Sequence, residues 1–239
     1  MEAIILAGGF GTRLAARLNG VPKPMAPVAG GPFLEILLNQ LQRADCARVL
    51  LSVGHLHQVI EDYFGESYRG MRLDYVIEET PLGTGGAIRL ALSQAAEATV
   101  LALNGDTFLA ADYREMLRFH SEERAELTLA VTPQPDIARY GGVVVEGKRV
   151  AGFEEKGRSG PGWINAGAYV LNRNLPWPEA LPEKFSFEVD FLAKQIDKLA
   201  VAAYEVDGVF LDIGVPEDLD RAQTELASFQ TRRQGAAEV

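Results

Sequence analysis

The feature that most constrains the fold is an alternation of short apolar runs with amphipathic segments in the first half of the chain. Short apolar runs ended by glycine or an acid are typical of strands buried on both faces, as in parallel sheets covered by helices. The pattern predicts an α/β fold with three layers, in which a mostly parallel, mixed central sheet carries helices on both faces. The predicted strands are residues 3–7, 48–53, 73–78 and 99–103, and the predicted helices are residues 32–43, 58–64 and 85–95.

The second half is less regular, but it contains no linker and no internal repeat. We therefore expect one domain over residues 1–229, made of halves 1–110 and 111–229, followed by a polar tail at 230–239. Strands are predicted at 126–132, 163–170 and 209–213, helices at 187–198 and 216–229, and a hairpin from 142–145 and 149–154 with its turn at Glu146-Gly147.

Composition excludes several classes of function. A net charge of −10 argues against a nucleic-acid-binding surface, which needs a basic footprint. The single cysteine, Cys46, rules out an intramolecular disulfide and a cysteine zinc site, and the spacing of His55 and His57 does not favour a metal pair. No apolar run is long enough to span a membrane and no signal peptide precedes the first strand, so we expect a cytoplasmic protein without membrane partners.

Glycines follow the first predicted strand at once, at Gly8, Gly9 and Gly11. Such a turn exposes several backbone N–H groups to one space, which suits phosphate oxygens, although a plain strand-to-helix turn remains an alternative. The spacing fits neither the P-loop pattern nor the dinucleotide fingerprint G-x-G-x-x-G. The turn is therefore a candidate phosphate site of another kind.

Two cations follow this turn, Arg13 and Lys23. Pro22 and Pro24 flank Lys23, so we predict that this lysine lies on a stiff extended segment. Preorganised charge is what electrostatic catalysis requires. The alternative is an ordinary surface turn.

Two aspartates stand among apolar residues at predicted strand ends, Asp106 in LNGDTF and Asp212 in FLDIGVPED. A carboxylate there is costly unless it is paired, hydrogen-bonded or bound to a metal. Together the two could hold one Mg²⁺, which prefers a few carboxylates plus phosphate and water. The alternative is that each one caps a helix or a turn.

Two further stretches carry polar groups next to strands. Glu78 precedes a second glycine-rich turn, residues 82–86, whose small residues could pack against the flat base of a nucleotide. Glu155 and Lys156 follow the hairpin and would suit a sugar hydroxyl beside a sugar phosphate. The alternative for residues 82–86 is a plain turn, and the alternative for Glu155 and Lys156 is an ordinary exposed ion pair.

Seven segments in order resemble the sugar-1-phosphate nucleotidylyltransferase family: GGFGTRL, PKPM, LGTGGA, NGD, FEEK, INAG and DIG. The resemblance covers residues 1 to about 229. Within the family the chain is most similar to the D-glycero-α-D-manno-heptose 1-phosphate guanylyltransferases, through MEAIILAGG, PKPMAPVAG, EETPLGTGGAI, LNGDTF, FSFEVDF and DIGVPEDLDRAQ.

The resemblance implies a Rossmann-like nucleotidyltransferase fold and a reaction in which a sugar 1-phosphate attacks the α-phosphorus of a nucleoside triphosphate and releases pyrophosphate. With GTP and the heptose, the product would be GDP-heptose, a precursor of bacterial surface glycans. The implied catalytic residues are Arg13, Lys23, Asp106 and Asp212, the two aspartates also holding Mg²⁺. The implied nucleotide-binding residues, in residues 1–110, are Leu6, Gly8, Gly9, Gly11, Thr12, Arg13, Lys23, Glu78, Gly83 and Gly105. The implied sugar-phosphate-binding residues, in residues 111–229, are Tyr140, Gly141, Glu155, Lys156 and Asn165.

Several questions stay open at the level of sequence. Because Gly141 is followed by Gly142, either could contact the sugar. The substrates could instead be those of a mannose-1-phosphate guanylyltransferase, or of a uridylyl- or thymidylyltransferase acting on glucose 1-phosphate or a related sugar. A non-catalytic homologue that binds nucleotide-sugars would be expected to lack one of the four catalytic residues. The sequence does not reveal whether the chain forms homo-oligomers.

Overall fold

The computed structural model describes residues 1–9, 14–18 and 20–230. Strands are β1 Glu2–Leu6, β2 Pro27–Val28, β3 Gly31–Pro32, β4 Arg48–Val53, β5 Ser67–Tyr68, β6 Met71–Ile77, β7 Thr99–Asn104, β8 Thr107–Leu109, β9 Leu127–Gln134, β10 Val143–Glu146, β11 Arg149–Phe153, β12 Gly162–Asn172, β13 Val201–Glu205 and β14 Phe210–Asp212. Helices are α1 Ala15–Leu18, α2 Phe33–Arg43, α3 His57–Phe64, α4 Gly83–Ser93, α5 Tyr113–Glu122, α6 Ala193–Gln195 and α7 Pro216–Glu225.

Ten of these strands form one mixed sheet in the order β10-β11-β13-β9-β12-β7-β1-β4-β6-β5. Strands β7, β1, β4 and β6 are parallel to one another, so their carboxyl ends meet at the same edge. Strand β12 runs antiparallel to both β7 and β9 and thereby connects the two halves of the chain. Ligands of such sheets bind beyond the carboxyl ends of the parallel strands.

Apolar side chains cover both faces of the sheet. Along β1, Ala3 and Ile5 belong to one buried cluster with helix α2, whereas Ile4 belongs to a second cluster with α4. This alternation follows from the opposite orientation of successive side chains in a strand. The three-layer α/β prediction is confirmed. Within the described part of the chain, no helix is long and apolar enough to cross a membrane.

Most predicted elements form within a few residues of their predicted bounds. The hairpin turn and residues 187–198 differ from prediction, and helix α5 and strands β2, β3, β5, β8 and β13 were not predicted. The hairpin turn lies at residues 147–148 rather than at Glu146-Gly147, because Glu146 pairs with Arg149. Residues 187–198 form a π-helical segment, Phe187–Leu192, followed only by the short α6. Helix α5 was missed, although Asp112 caps it by accepting hydrogen bonds from the N–H groups of Arg114 and Glu115.

His120 is buried between α5 and the sheet. Its Nδ1 lies 2.9 Å from Thr128 Oγ1 and its Nε2 lies 3.2 Å from Asn172 Oδ1. Asn172 donates its own Nδ2 to the carbonyl of Ala125, so Oδ1 is free to accept from the imidazole. Burial lowers the pKa of His120, and the hydrogen bond to Asn172 offsets this only in part.

We predict that His120 makes the fold less stable in mild acid. Its pKa is lowered in the folded chain, so the unfolded chain binds the extra proton first, and stability falls as the pH drops through about 6.5. Chemical denaturation of the wild type and His120→Gln between pH 8 and pH 5.5 should show a shallower acid decline for the variant. Both curves should run parallel between pH 8 and pH 7, where the imidazole is neutral in both states. Equal declines below pH 7 would contradict this role.

Candidate active site

The turn after β1 meets two other turns at the carboxyl edge of the sheet. They enclose a cavity of about 470 Å³, lined by Gly8, residues 54–57, residues 77–79 and Pro81. This volume is within the range of small-molecule sites. The sequence did not point to residues 54–57 as part of a site, because only their position after β4 places them there.

Two glutamates line this cavity, Glu78 and Glu79, and hydrogen bonds hold Glu78 in a fixed orientation. Its Oε1 accepts a hydrogen bond from Ser52 Oγ at 3.0 Å, and its Oε2 accepts from the backbone N–H of Leu82 at 3.1 Å. A Cβ at Gly8 would lie only 2.6 Å from Oε1, so the glycine allows the first turn to pack against this carboxylate. Glu78 and Gly8, both predicted nucleotide-binding residues, are therefore neighbours.

Lys23 is buried, which excludes the surface-turn alternative. It is not on an extended segment as predicted, because Lys23–Met25 forms a single 3₁₀ turn closed by a hydrogen bond from the N–H of Met25 to the carbonyl of Pro22 at 2.8 Å. Proline is compatible with the start of such a turn, where its missing N–H costs nothing. The turn directs the Lys23 ammonium to Asp106 Oδ2, 2.6 Å away.

Asp106 and Asp212 are brought together by strand pairing. Strand β8 begins directly after Asp106 and pairs with β14, so that Asp212 lies opposite Thr107. The N–H of Ile213 also donates to the carbonyl of Asp106 at 3.0 Å. The two aspartates thus lie next to each other along the chain backbones, and their carboxylates are the kind of ligand that Mg²⁺ takes, since Mg²⁺ is usually held by one or two carboxylates plus substrate phosphates. No cluster of three or more acidic, histidine or cysteine ligands occurs among the described residues.

Arg139 is a site residue that sequence reasoning missed. Its guanidinium donates to Asp212 Oδ2 at 3.1 Å, pairs with the buried Asp218 and lies over the ring of Tyr140 at 5.0 Å. Burial opposes its charge, but the hydrogen bond to Asp218 and the nearby carboxylates outweigh this and raise the pKa of Arg139. The sequence offered one signal for Arg139, its position directly before the predicted sugar-binding residue Tyr140. Arg139 thus connects the predicted sugar loop to Asp212.

The predicted sugar loop requires both of its glycines. Gly141 has φ +84°, and a Cβ there would lie 2.9 Å from the carbonyl oxygen of Glu154 and 3.5 Å from Lys156 Cγ. Gly142 exchanges backbone hydrogen bonds with Glu154, and a Cβ there would overlap the Glu154 side chain. The left-handed conformation of Gly141 and the close packing of Gly142 thus explain the pair of glycines.

The remaining predicted sugar residues lie near this loop and on β12. Tyr140 packs edge-on against Phe210, and burial raises its pKa although the charge of Arg139 opposes this. Glu155 and Lys156 are exposed, and neither has a hydrogen-bond or ion-pair partner within the described part of the chain. Asn165 is half-buried on β12, where its Nδ2 donates to Tyr169 Oη at 2.8 Å and its Oδ1 accepts from the N–H of Gly167 at 2.9 Å.

The other predicted nucleotide residues divide into two groups. Leu6, Gly9, Gly83 and Gly105 are described, and the N–H of Gly105 donates to the carbonyl of Leu6 at 3.0 Å. Gly11, Thr12 and Arg13 lie outside the described residues, so their predicted roles stay predictions.

The sequence model of the family described as "Nucleotidyl transferase" matches residues 2–228. The chain therefore belongs to this family, and the prediction of a nucleotidyltransferase enzyme is confirmed. Members of the family generally use a divalent metal.

Three similar proteins show which members of the family this chain most resembles. The chain is 44% identical over 229 residues to the D-glycero-alpha-D-manno-heptose 1-phosphate guanylyltransferase of Aneurinibacillus thermoaerophilus, covering 96% of this chain and 100% of that one. It is 42% identical to the enzyme of the same name from Campylobacter jejuni, covering 91% and 96%. The structure of HddC from Yersinia pseudotuberculosis complexed with GMP-PN has a TM-score of 0.81 at 34% identity, covering 93% and 97%. Mannose-1-phosphate guanylyltransferases are more distant relatives, such as that of Mycobacterium tuberculosis at 36% identity.

We predict that Gly105→Ala damages both the fold and the site. The added Cβ would overlap the carbonyl oxygen of Leu6, so β1 and β7 would have to separate where Asp106 begins. Such overpacking costs about 1–3 kcal/mol of unfolding free energy, measurable by denaturant titration. Gly152→Ala is the matched control, because nothing lies within 4 Å of its added Cβ; its unfolding free energy should stay within about 0.5 kcal/mol of wild type. Equal stability of the two variants would refute the close-packing argument.

Proposed function

We propose that this chain joins GTP to D-glycero-α-D-manno-heptose 1-phosphate, forming GDP-heptose and releasing pyrophosphate. The observation that carries the proposal is the contact of the buried Lys23 with the partly exposed Asp106 beside Asp212, between the cavity at Glu78 and the β12 strand that bears Asn165. This arrangement supplies a cation and two carboxylates where a triphosphate in the cavity and a sugar phosphate near β12 would meet.

The proposed reaction is an in-line displacement. A phosphate oxygen of the sugar 1-phosphate forms a bond to the α-phosphorus of GTP, while the bond from that phosphorus to the bridging oxygen breaks and its electron pair leaves with pyrophosphate. Catalysis by such a site is positioning and charge neutralisation. Lys23 would stabilise the negative charge on the α-phosphate, and Arg13 would bind the departing pyrophosphate.

The aspartates have a second role in the proposal. Asp106 and Asp212 would hold Mg²⁺, which neutralises phosphate charge when bound. Arg139 supports this role because it contacts one oxygen of Asp212, and the N–H of Gly214 contacts the other at 2.7 Å. The side chain is thereby kept at the edge of the site.

Glu78 favours guanine among the bases. An ionised carboxylate offers about four acceptor sites, of which the contacts with Ser52 and Leu82 use two. Guanine presents N–H donors on its Watson–Crick edge that suit the free acceptor sites. With Leu6, Gly8, Gly9, Gly11, Thr12, Gly83 and Gly105, Glu78 would form the nucleotide site.

The sugar phosphate is proposed to bind in the second half of the chain. Lys156, which lies beside Gly141, would contact its phosphate, and Tyr140, Gly141, Glu155 and Asn165 would contact its ring. The two near-full-length relatives named for the heptose support this sugar over mannose. The product would supply the synthesis of bacterial surface glycans, and the reaction would take place in the cytoplasm, where nucleoside triphosphates are made.

A substrate matrix tests the proposal. Purified protein with Mg²⁺ is mixed with each of five nucleoside triphosphates and with heptose, mannose, glucose or N-acetylglucosamine 1-phosphate, and pyrophosphate release is recorded. We expect the largest release with GTP and the heptose phosphate. A preference for another pair would contradict the proposed substrates, and release with no pair would contradict the proposed activity.

We predict that Lys23→Ala lowers kcat by about 10²-fold or more, the scale of losing one preorganised electrostatic group, while the chain stays folded. Lys148→Ala is the matched control, since Lys148 is an exposed lysine paired with Glu123 at 2.5 Å, away from the site. Steady-state kinetics with thermal unfolding curves would compare them. Full activity of the Lys23 variant would remove this lysine from the mechanism.

A further inference from the structure

A chain of hydrogen bonds connects the predicted sugar residue Asn165 to the second glycine turn. Asn165 Nδ2 donates to Tyr169 Oη at 2.8 Å, and Tyr169 donates to Glu188 Oε1 at 2.9 Å. Glu188 Oε2 accepts from Thr84 Oγ1 at 2.9 Å and from Ser186 Oγ at 3.1 Å. Neither Tyr169 nor Glu188 was among the predicted site residues, although Glu188 lies in the segment FSFEVDF.

The direction of each hydrogen bond in this chain is determined. Tyr169 is fully buried, and burial followed by the charge of Glu188 raises its pKa well above the ordinary range, so the hydroxyl keeps its proton and donates it to the carboxylate. Its oxygen is then an acceptor for Asn165. The opposite orientation of the Asn165 amide is excluded, because Oδ1 accepts from the N–H of Gly167.

Because the Asn165 amide has one fixed orientation, one N–H of its Nδ2 is left to bind a ligand. Nδ2 carries two hydrogens, and Tyr169 takes one of them. The second hydrogen has no partner within the described part of the chain. Asn165 thus offers a donor, which can recognise an oxygen of a sugar ring.

The other end of this hydrogen-bond chain reaches the second glycine-rich turn, residues 82–86, which in the structure is the N-cap and first turn of helix α4. The backbone of Phe185 accepts from the N–H of Gly85 and donates to the carbonyl of Leu82, both at 3.0 Å. A Cβ at Gly83 would lie 2.6 Å from the carbonyl oxygen of Phe185, so the glycines of this turn are needed for close packing against this segment. Thr84 adds a hydroxyl that accepts from the N–H of Phe187 and donates to Glu188. The turn and β12 are therefore connected through Glu188.

We propose that Tyr169 and Glu188 are positioning residues, which orient Asn165 toward the sugar phosphate and connect β12 to the turn at residues 82–86. The inference rests on the proposed function, because it takes Asn165 as a sugar-binding residue. Glu188 is half-buried, and its carboxylate receives hydroxyl donors from Tyr169, Thr84 and Ser186. Packing alone does not require so polar an arrangement, since apolar groups of the same shape could fill the space.

Tyr169→Phe tests the inference, because it removes the hydroxyl and keeps the ring. We expect the KM for the sugar phosphate to rise on the order of tenfold, the scale of one hydrogen bond, while the KM for GTP stays within about twofold. Tyr113→Phe is the matched control: Tyr113 is also buried, but its hydroxyl donates to the carbonyl of Leu109 at 3.4 Å in the apolar cluster on the other face of the sheet. This control should leave both KM values unchanged.

A double variant separates positioning from packing. If Tyr169 acts through Asn165, then Asn165→Ala combined with Tyr169→Phe should raise the sugar KM no further than Asn165→Ala alone. The inference would be overturned if the double variant raised the KM for the sugar phosphate by the product of the two single-variant effects. It would also be overturned if Tyr169→Phe left that KM unchanged, or raised the KM for GTP as much as the KM for the sugar phosphate. Glu188→Gln is a second route to the same readout should Tyr169→Phe fail to fold, and it should also raise the sugar KM selectively.

Measurements on the wild-type protein test the proposed function separately from the positioning role. All variants are measured with the nucleotide and sugar phosphate that the wild type uses best in the substrate matrix. A wild type that prefers another pair refutes the proposed substrates, while the Tyr169 comparison still tests the positioning role with that pair. A wild type that releases no pyrophosphate overturns both.

Discussion

The arrangement of the site depends on the pairing of strand β7 with a neighbour on each side. Parallel pairing with β1 places Leu6 and Ala7, just before the first glycines, beside Gly105. Antiparallel pairing with β12 places Gly167, where the register of β12 with β9 is irregular, against Asn104. Asp106 follows β7 directly, so it lies where both halves of the chain meet. If either pairing shifted by one residue, the side chains of that strand would exchange faces and Asp106 would lose its position relative to Lys23.

Charge at this junction is balanced locally in an otherwise acidic protein. Lys23 pairs with Asp106, and Arg139 pairs with Asp212 and with the buried Asp218, which also pairs with Arg221. The buried Asp218 would carry a large desolvation cost without such partners, and the partly buried Asp106 and Asp212 a smaller one. The same cations lie where phosphate charge would arrive, so residues that allow the folded chain to tolerate its aspartates also serve the proposed reaction.

Two connections at the site use polar side chains from segments far apart in sequence, and the one through Glu188 joins the two halves of the chain. Arg139 connects the predicted sugar loop to Asp212, and Glu188 connects strand β12 to the turn at residues 82–86. Such polar networks hold a preferred geometry more strictly than apolar packing does, because each donor has one acceptor to meet. They are suited to a reaction that depends on bringing two phosphates together in line.

The sequence alone determined the α/β class and the strands at 48–53 and 99–103, because apolar periodicity is a local signal. It also marked Lys23, Asp106 and Asp212 as candidate site residues, because prolines around a lysine and acids at strand ends are local signals as well. Only the tertiary structure decided that Lys23 lies on a 3₁₀ turn facing Asp106, that β8 and β14 bring the two aspartates together, and that Arg139, Tyr169 and Glu188 support the site. The physical reason is separation along the sequence. Thr84 and Glu188 are 104 positions apart, and a hydrogen bond between them produces no recognisable pattern in the sequence around either residue. It exists only once the sheet has paired its strands in one register.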